Sequence, residues 1–181
     1  MALTNDPQDI AAFEATFNAD YNMVYPYTTT PGNDLIWSPT SAQTSLVGII
    51  NSATTSLQVE NEEMSASNVV TALESACQRG VKVNITMTND ENDYATEFTA
   101  LEAAGCGVHV YPDSTKYIYI HAKVILADYG TSAQYAYVGS INISTASLTE
   151  DRELGMYVYD PTVLSGLNTT LTSDYNGATA F

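Results

Sequence analysis

The chain has 181 residues, 45% of them hydrophobic, with 13 tyrosines and no low-complexity tract, enough for one domain with a real core. Five Lys and Arg stand against 21 Asp and Glu, a formal charge of -16, and such a field repels polyanions over most of the surface. Tight nucleic-acid binding neutralises several phosphates with cations, so this balance argues against a general DNA or RNA binder, though not against one basic pocket for a small phosphorylated group.

In chain order, Asp6 caps a first helix, Pro7 fits its first turn, and Ile10, Phe13 and Phe17 form an apolar stripe. A Tyr/Thr/Pro/Gly stretch over residues 21–34 reads as a linker. Strands are predicted at 35–38 and 56–60, with a helix over 41–51 between them. An amphipathic helix over 67–80 closes on Gly80, and a helix over 95–105 closes on Gly105. Further strands are predicted at 81–87, 108–111, 117–128, 135–139 and 153–159. Asp160-Pro161 opens a last helix through Val163, Leu164, Leu167 and Leu171. Strand and helix alternate through the first two thirds, and consecutive strands follow. The expected fold is therefore α/β, a mixed sheet sandwiched between helices. One unit over 1–181 is expected: helix and linker to residue 33, then an α/β core over 34–181. No internal repeat is read from the sequence.

No apolar run reaches the length of a membrane span. The opening residues lack the basic and apolar regions of a signal peptide, so the chain is either cytosolic or a mature segment; a secreted or periplasmic location is favoured. Cys77 and Cys106 each follow a helix and precede a strand, and they either form one disulfide or stay as buried thiols. Asn-x-Ser/Thr matches at Asn84, Asn142 and Asn168 are read as chance in a Ser/Thr-rich chain.

The chemistry concentrates in "YIHAKVILAD" (119–128) and "GSIN" (139–142). On a strand, His121 and Lys123 project from one face, and Ser140 and Asn142 likewise share a side. Glu153 opens the next strand. An imidazole, an ammonium, a hydroxyl, an amide and a carboxylate would thus gather at one end of the sheet. One His and one Glu beside a Lys make a poor cation site, so no metal or other cofactor is expected. Converging donors near a nucleophile suit a phosphoryl group. His109 lacks a lysine two positions on and is read as structural, Asp128 as a strand-end cap, and Glu60–Glu63 as a solvated loop that could rim a pocket.

His121-x-Lys123-x4-Asp128, then Gly139-Ser140-x-Asn142 and Glu153, resembles the HKD signature of the phospholipase D superfamily. The resemblance runs through most of 34–160, including "ALESACQRGVKVNI" and "ASLTEDRELGMYV". It implies a metal-independent phosphodiesterase working through a phosphohistidine. In that scheme His121 is nucleophile or acid/base, Lys123 and Asn142 bind phosphate, Ser140 assists, Glu153 orients the imidazole, and Asp128 and Gly139 are structural parts of the motif. Asp151 stands where related sequences often carry Asn. The family's site needs two such motifs and this chain carries one. The second is expected from an identical chain across a twofold axis or from another lobe. The opening "TNDPQDIAAFEATFNADY" resembles the segment that closes the first lobe of two-lobed members. The expected substrate is a phospholipid, zwitterionic rather than anionic because the chain is acidic, touched by peripheral contact. The alternatives are a homodimeric nuclease-type phosphodiesterase and a non-catalytic phosphate-binding lobe.

Overall fold

The structure is a computed structural model that describes residues 4–24 and 28–181. Part of the predicted linker, residues 25–27, lies outside the described residues, as do residues 1–3 of the opening segment. The elements run α1 (Pro7–Tyr21), β1 (Leu35–Ser38), α2 (Ala42–Ser52), β2 (Ser56–Glu60), α3 (Ser67–Gln78), β3 (Lys82–Asn89), α4 (Ala95–Ala103) and β4 (Gly107–Pro112). There follow β5 (Val124–Ala127), β6 (Tyr135–Gly139), α5 (Thr145–Thr149), β7 (Glu153–Val158), α6 (Pro161–Gly177) and β8 (Thr179–Ala180).

One eight-stranded mixed sheet has the order β1-β7-β6-β5-β2-β3-β4-β8. The central β2, β3 and β4 are parallel, as the helices between them require, and the other pairings are antiparallel. The expected α/β sandwich is therefore observed. Helices α2, α3 and α4 cover one face over the main core, where Ile36, Leu46, Leu57, Leu73, Ile85, Phe98 and Leu101 are all fully buried. Helix α6 covers the other face with Leu164 and Leu171 against Val124, Leu126 and Ala136. Gly80 and Gly105 end α3 and α4 at φ 89° and 93°, a region that costs glycine little. No helix among the described residues is long and apolar enough to cross a membrane.

The predicted strand over 117–128 is shortened to β5. Its neighbour β2 ends at Glu60, opposite Val124, and β6 ends at Gly139, whose N–H donates to Lys123 carbonyl, so residues before 123 have no ladder to join. The short α5 and β8 were not read from the sequence. Both lie below the length at which periodicity carries a signal.

Cys77 and Cys106 are bonded, with Cα atoms 5.5 Å apart, which resolves the alternative left open by the sequence. The bridge ties the end of α3 to the start of β4 across 29 residues. Replacing both cysteines by alanine is expected to lower stability by roughly 3–4 kcal/mol, measured by urea unfolding.

Helices α1 and α6 are copies of one pattern. Asp6, Pro7, Thr16, Asp20, Tyr21 and Asn22 recur at a constant spacing as Asp160, Pro161, Thr170, Asp174, Tyr175 and Asn176. Ile10, Phe13 and Phe17 match Leu164, Leu167 and Leu171. The caps match too: Asp6 accepts from the N–H groups of Gln8 and Asp9, and Asp160 from those of Thr162 and Val163. This repeat corrects the reading that there is none; it is confined to one helix, too short to stand out by eye. The packing differs, however. Leu164 and Leu171 are buried on the sheet, whereas Ile10, Phe13 and Phe17 are 43%, 47% and 57% exposed. Helix α1 turns its polar side inward instead. Buried Asp9 accepts from the N–H groups of Asn33 and Asp34, Thr16 Oγ1 accepts from Thr30 N–H, and Asp20 pairs with Arg152 at 2.8 Å.

On the α6 side of β2, Glu60 is only 4% exposed and one of its oxygens has no partner. Burial, then the charge of nearby Asp174 and a hydrogen bond with it, push its pKa up to about 7. A folded value above the unfolded one means that this carboxyl costs nothing below about pH 4.5. It then costs progressively more as pH rises towards 7. Glu60→Gln is expected to raise stability by a few kcal/mol at pH 8 and by almost nothing at pH 4, read from denaturant midpoints at both.

Candidate active site

The turn after β2 is held by Asn61, which is 1% exposed. Its Oδ1 accepts from the N–H groups of Glu63 and Ile143, and its amide donates to Ile141 carbonyl. Ser65 and Ala66 N–H groups both donate to Ile143 carbonyl. The segment 61–66 is thereby clamped against 141–143. The expected solvated loop at 60–63 is corrected: Glu60 and Asn61 are buried, and Glu62 points inward with its side chain only 21% exposed. Backbone groups that must be paired drive this, because the clamp satisfies several at once.

Glu62 is the centre of the cluster. Its Oε2 lies 2.7 Å from Lys123 Nζ, 3.0 Å from His121 Nε2 and 3.4 Å from Asn142 Nδ2. Its Oε1 accepts from the Tyr119 hydroxyl at 3.2 Å. Partial burial works against its charge, but the Lys123 bond, the Lys123 charge, the Asn142 bond and the His121 charge outweigh that. They hold its pKa below the ordinary value. Sequence reading missed this residue as a centre of the site. The one available signal was its place at the end of a parallel strand, where α/β sheets gather their ligands.

His121 and Lys123 do come together, though not as strand neighbours. His121 stands outside with 72% of its side chain exposed, whereas Lys123 is buried, 7% exposed, and also donates to His121 carbonyl at 2.9 Å. Asn142 joins them, and its Oδ1 is buried without a partner. Ser140 does not join them. Its hydroxyl exchanges hydrogen bonds with the backbone of Leu154, which ties the turn after β6 to β7. Glu153, at the start of β7, is half-buried beside Arg152 and Ser140 in a hollow with Phe13, Phe17 and Trp37. Among the described residues the only carboxylate within 4 Å of a His121 nitrogen is that of Glu62.

Gly139 is a packing requirement. A Cβ there would collide with Gly155 and the Tyr137 hydroxyl, and Tyr137 uses that hydroxyl to hold Ile141 N–H at 3.0 Å. The ring so positions the turn that carries Asn142. Asp128 ties the end of β5 to the turn before β2. At φ 49° it accepts from the N–H groups of Thr54, Thr55 and Ser56 and from the hydroxyls of Thr54 and Thr55. Burial opposes its charge, but these bonds prevail and hold its pKa at about 2. His109 is tied in as well: its Nδ1 meets Tyr175 carbonyl at 2.7 Å and its ring stacks on Tyr175. Among the described residues no group of three His, Cys, Asp or Glu side chains is placed to hold a metal ion.

The fold is an α/β lobe in which Lys123, His121 and Asn142 converge on one carboxylate oxygen. Residues 46–175 match the family described as "Cardiolipin synthase, PLD-like domain", and the chain belongs to the phospholipase D superfamily. It is 31% identical over 115 residues to the major cardiolipin synthase ClsA of Bacillus subtilis (strain 168), a match over 60% of this chain and 22% of that protein. The chain thus spans about a fifth of the length of that relative. Among solved structures it is similar to Nuc of Salmonella typhimurium, described as a phospholipase D family member, with TM-score 0.72 and 22% identity over 81% of this chain and 95% of that one. It is also similar to NucT of Helicobacter pylori, with TM-score 0.67 and 18% identity over 81% and 97%. These two likenesses are of fold.

Proposed function

We propose that the chain is one catalytic lobe of a phospholipase D-type phosphodiesterase acting on a phospholipid, and that a second HKD motif from another lobe or an identical chain completes its site. The observation that carries this is the convergence of His121, Lys123 and Asn142 on one anionic oxygen. Donors that hold a carboxylate oxygen there suit a non-bridging phosphoryl oxygen equally. In the proposed reaction an imidazole attacks phosphorus and displaces the head-group alcohol, which takes a proton from the partner histidine. That histidine then activates water, and the phosphohistidine bond breaks to release phosphatidic acid. An alcohol in place of water gives transphosphatidylation. His121 is one of the two histidines, and Lys123 and Asn142 hold the oxygens. Ser140 assists by fixing the turn, and the orienting role of Glu153 belongs to the assembled site, since Glu62 meets the imidazole in the free chain.

Several features support a lipid over a nucleic acid. Tyr117, Ile118 and Tyr119 are 54%, 47% and 48% exposed directly before His121, an aromatic surface suited to a lipid interface. The five cations of the chain are few for a polyanion, and buried Lys123 is already paired. The disulfide supports an oxidising compartment.

The α1/α6 repeat supports the second lobe. Helix α6 covers this sheet with its apolar stripe, whereas α1 leaves the same stripe half-exposed at the edge of an apolar hollow with Leu35, Val138, Leu154 and Met156. A sheet of the same kind in a preceding lobe would cover Ile10, Phe13 and Phe17 as this one covers Leu164 and Leu171. The likeness to nearly the whole of Nuc and NucT keeps the identical-chain arrangement as the second reading.

Choline release from phosphatidylcholine vesicles and plasmid nicking, both run in excess chelator on the chain assembled with a second motif, test the substrate class. Choline release without nicking is expected, and nicking without choline release would overturn the lipid reading.

A further inference from the structure

We infer that Glu62 occupies the phosphoryl seat of the free chain, so that a phosphoryl ligand binds only by displacing its carboxylate from Lys123, His121 and Asn142. This deepens the function proposed above and rests on it.

The geometry gives the reason. One oxygen, Oε2, receives all three donors, so the seat is filled and not merely bordered. A phosphodiester anion cannot share one buried ammonium with a carboxylate at hydrogen-bond distance without strong repulsion. The backbone of Glu62 stays put, because Asn61 clamps the turn on either side of it. The side chain can leave: it is 21% exposed, and an exit returns its charge to water. The Asn142 Nδ2 donor is underused in the free chain, with only a long 3.4 Å bond to Glu62 Oε2. A larger anion with several oxygens, seated between Lys123 and Asn142, would use that amide better.

The competing reading is that Glu62 serves only as counter-ion to buried Lys123, a role that affects stability and leaves anion binding alone. Calorimetric titration of inorganic phosphate into the chain, into Glu62→Gln and into Glu62→Gln/Lys123→Met separates the two. The double variant removes both charges together and leaves no unpaired buried ion. Near-UV circular dichroism confirms folding, and Glu62→Ala serves in place of Glu62→Gln should the latter not fold. Phosphate is expected to bind Glu62→Gln about tenfold or more tightly than the parent chain, with the gain lost in the double variant. Equal affinity in parent and Glu62→Gln, lost with Lys123→Met, overturns the occupied seat and leaves the phosphate site standing. No phosphate binding by any folded form overturns the seat and the phosphoryl site together.

Discussion

His121→Ala, made in an assembly that supplies the second motif, is expected to cut head-group release by about 1,000-fold or more while leaving the melting temperature within a degree or two. The imidazole is 72% exposed and touches the lobe through Glu62, so it contributes little to the core. A residue that stabilised the lobe would show the opposite pattern, a lower melting temperature with activity preserved in the folded fraction. Steady-state choline release and thermal unfolding, both on the same preparation, separate these outcomes. A fall of less than tenfold would remove His121 from the chemistry.

Asp128→Ala should have the largest effect on stability. Its carboxylate accepts from three consecutive backbone N–H groups and two hydroxyls in the turn that leads into β2. Alanine takes the shared acceptor from five donors and also places a Cβ-bearing residue without local hydrogen bonding at φ 49°. The expected loss is roughly 3–5 kcal/mol, or a melting temperature lower by about 10 °C. Asp128→Asn tolerates the backbone and keeps some acceptor capacity, so its loss should be about half as great. The pH dependence follows from the pKa of about 2, depressed below the ordinary 3.8. The stabilisation is fully present above the unfolded carboxyl range and is lost as pH falls through about 2. Acid unfolding of the parent and Asp128→Asn should therefore converge at the lowest pH.

Much of the frame could be read before the structure, because local chemistry set it. The strands over 35–38 and 56–60 appear with those limits, and the Asp-Pro starts of α1 and α6 are capped as their residues predict. The strand over 117–128 failed for a non-local reason: its apolar, β-branched character is real, but β2 stops at Glu60 and offers nothing further to pair with. The site was legible as a set of residue types and illegible as a geometry. His121, Lys123 and Asn142 were named and do converge, whereas Glu62, which organises them, looked like part of an acidic surface run. Only the Asn61 clamp, formed across the sheet with Ile143, turns it inward. Ser140 shows the reverse case, a residue with the right spacing whose hydroxyl is taken up by backbone. The partial exposure of the α1 stripe also needed the structure, since amphipathic spacing cannot tell how fully a stripe is covered.

The proposed reaction passes through a phosphohistidine formed by a two-motif site to which this lobe contributes His121. The partition of products tests it most directly: phosphatidyl-alcohol against phosphatidic acid, in excess chelator at fixed ethanol, from phosphatidylcholine and from phosphatidylethanolamine. A shared covalent intermediate forgets its leaving group, so the ratio should be the same from both lipids and should vanish with His121→Ala. A ratio that changes with the head group, or turnover that survives His121→Ala, would contradict the account.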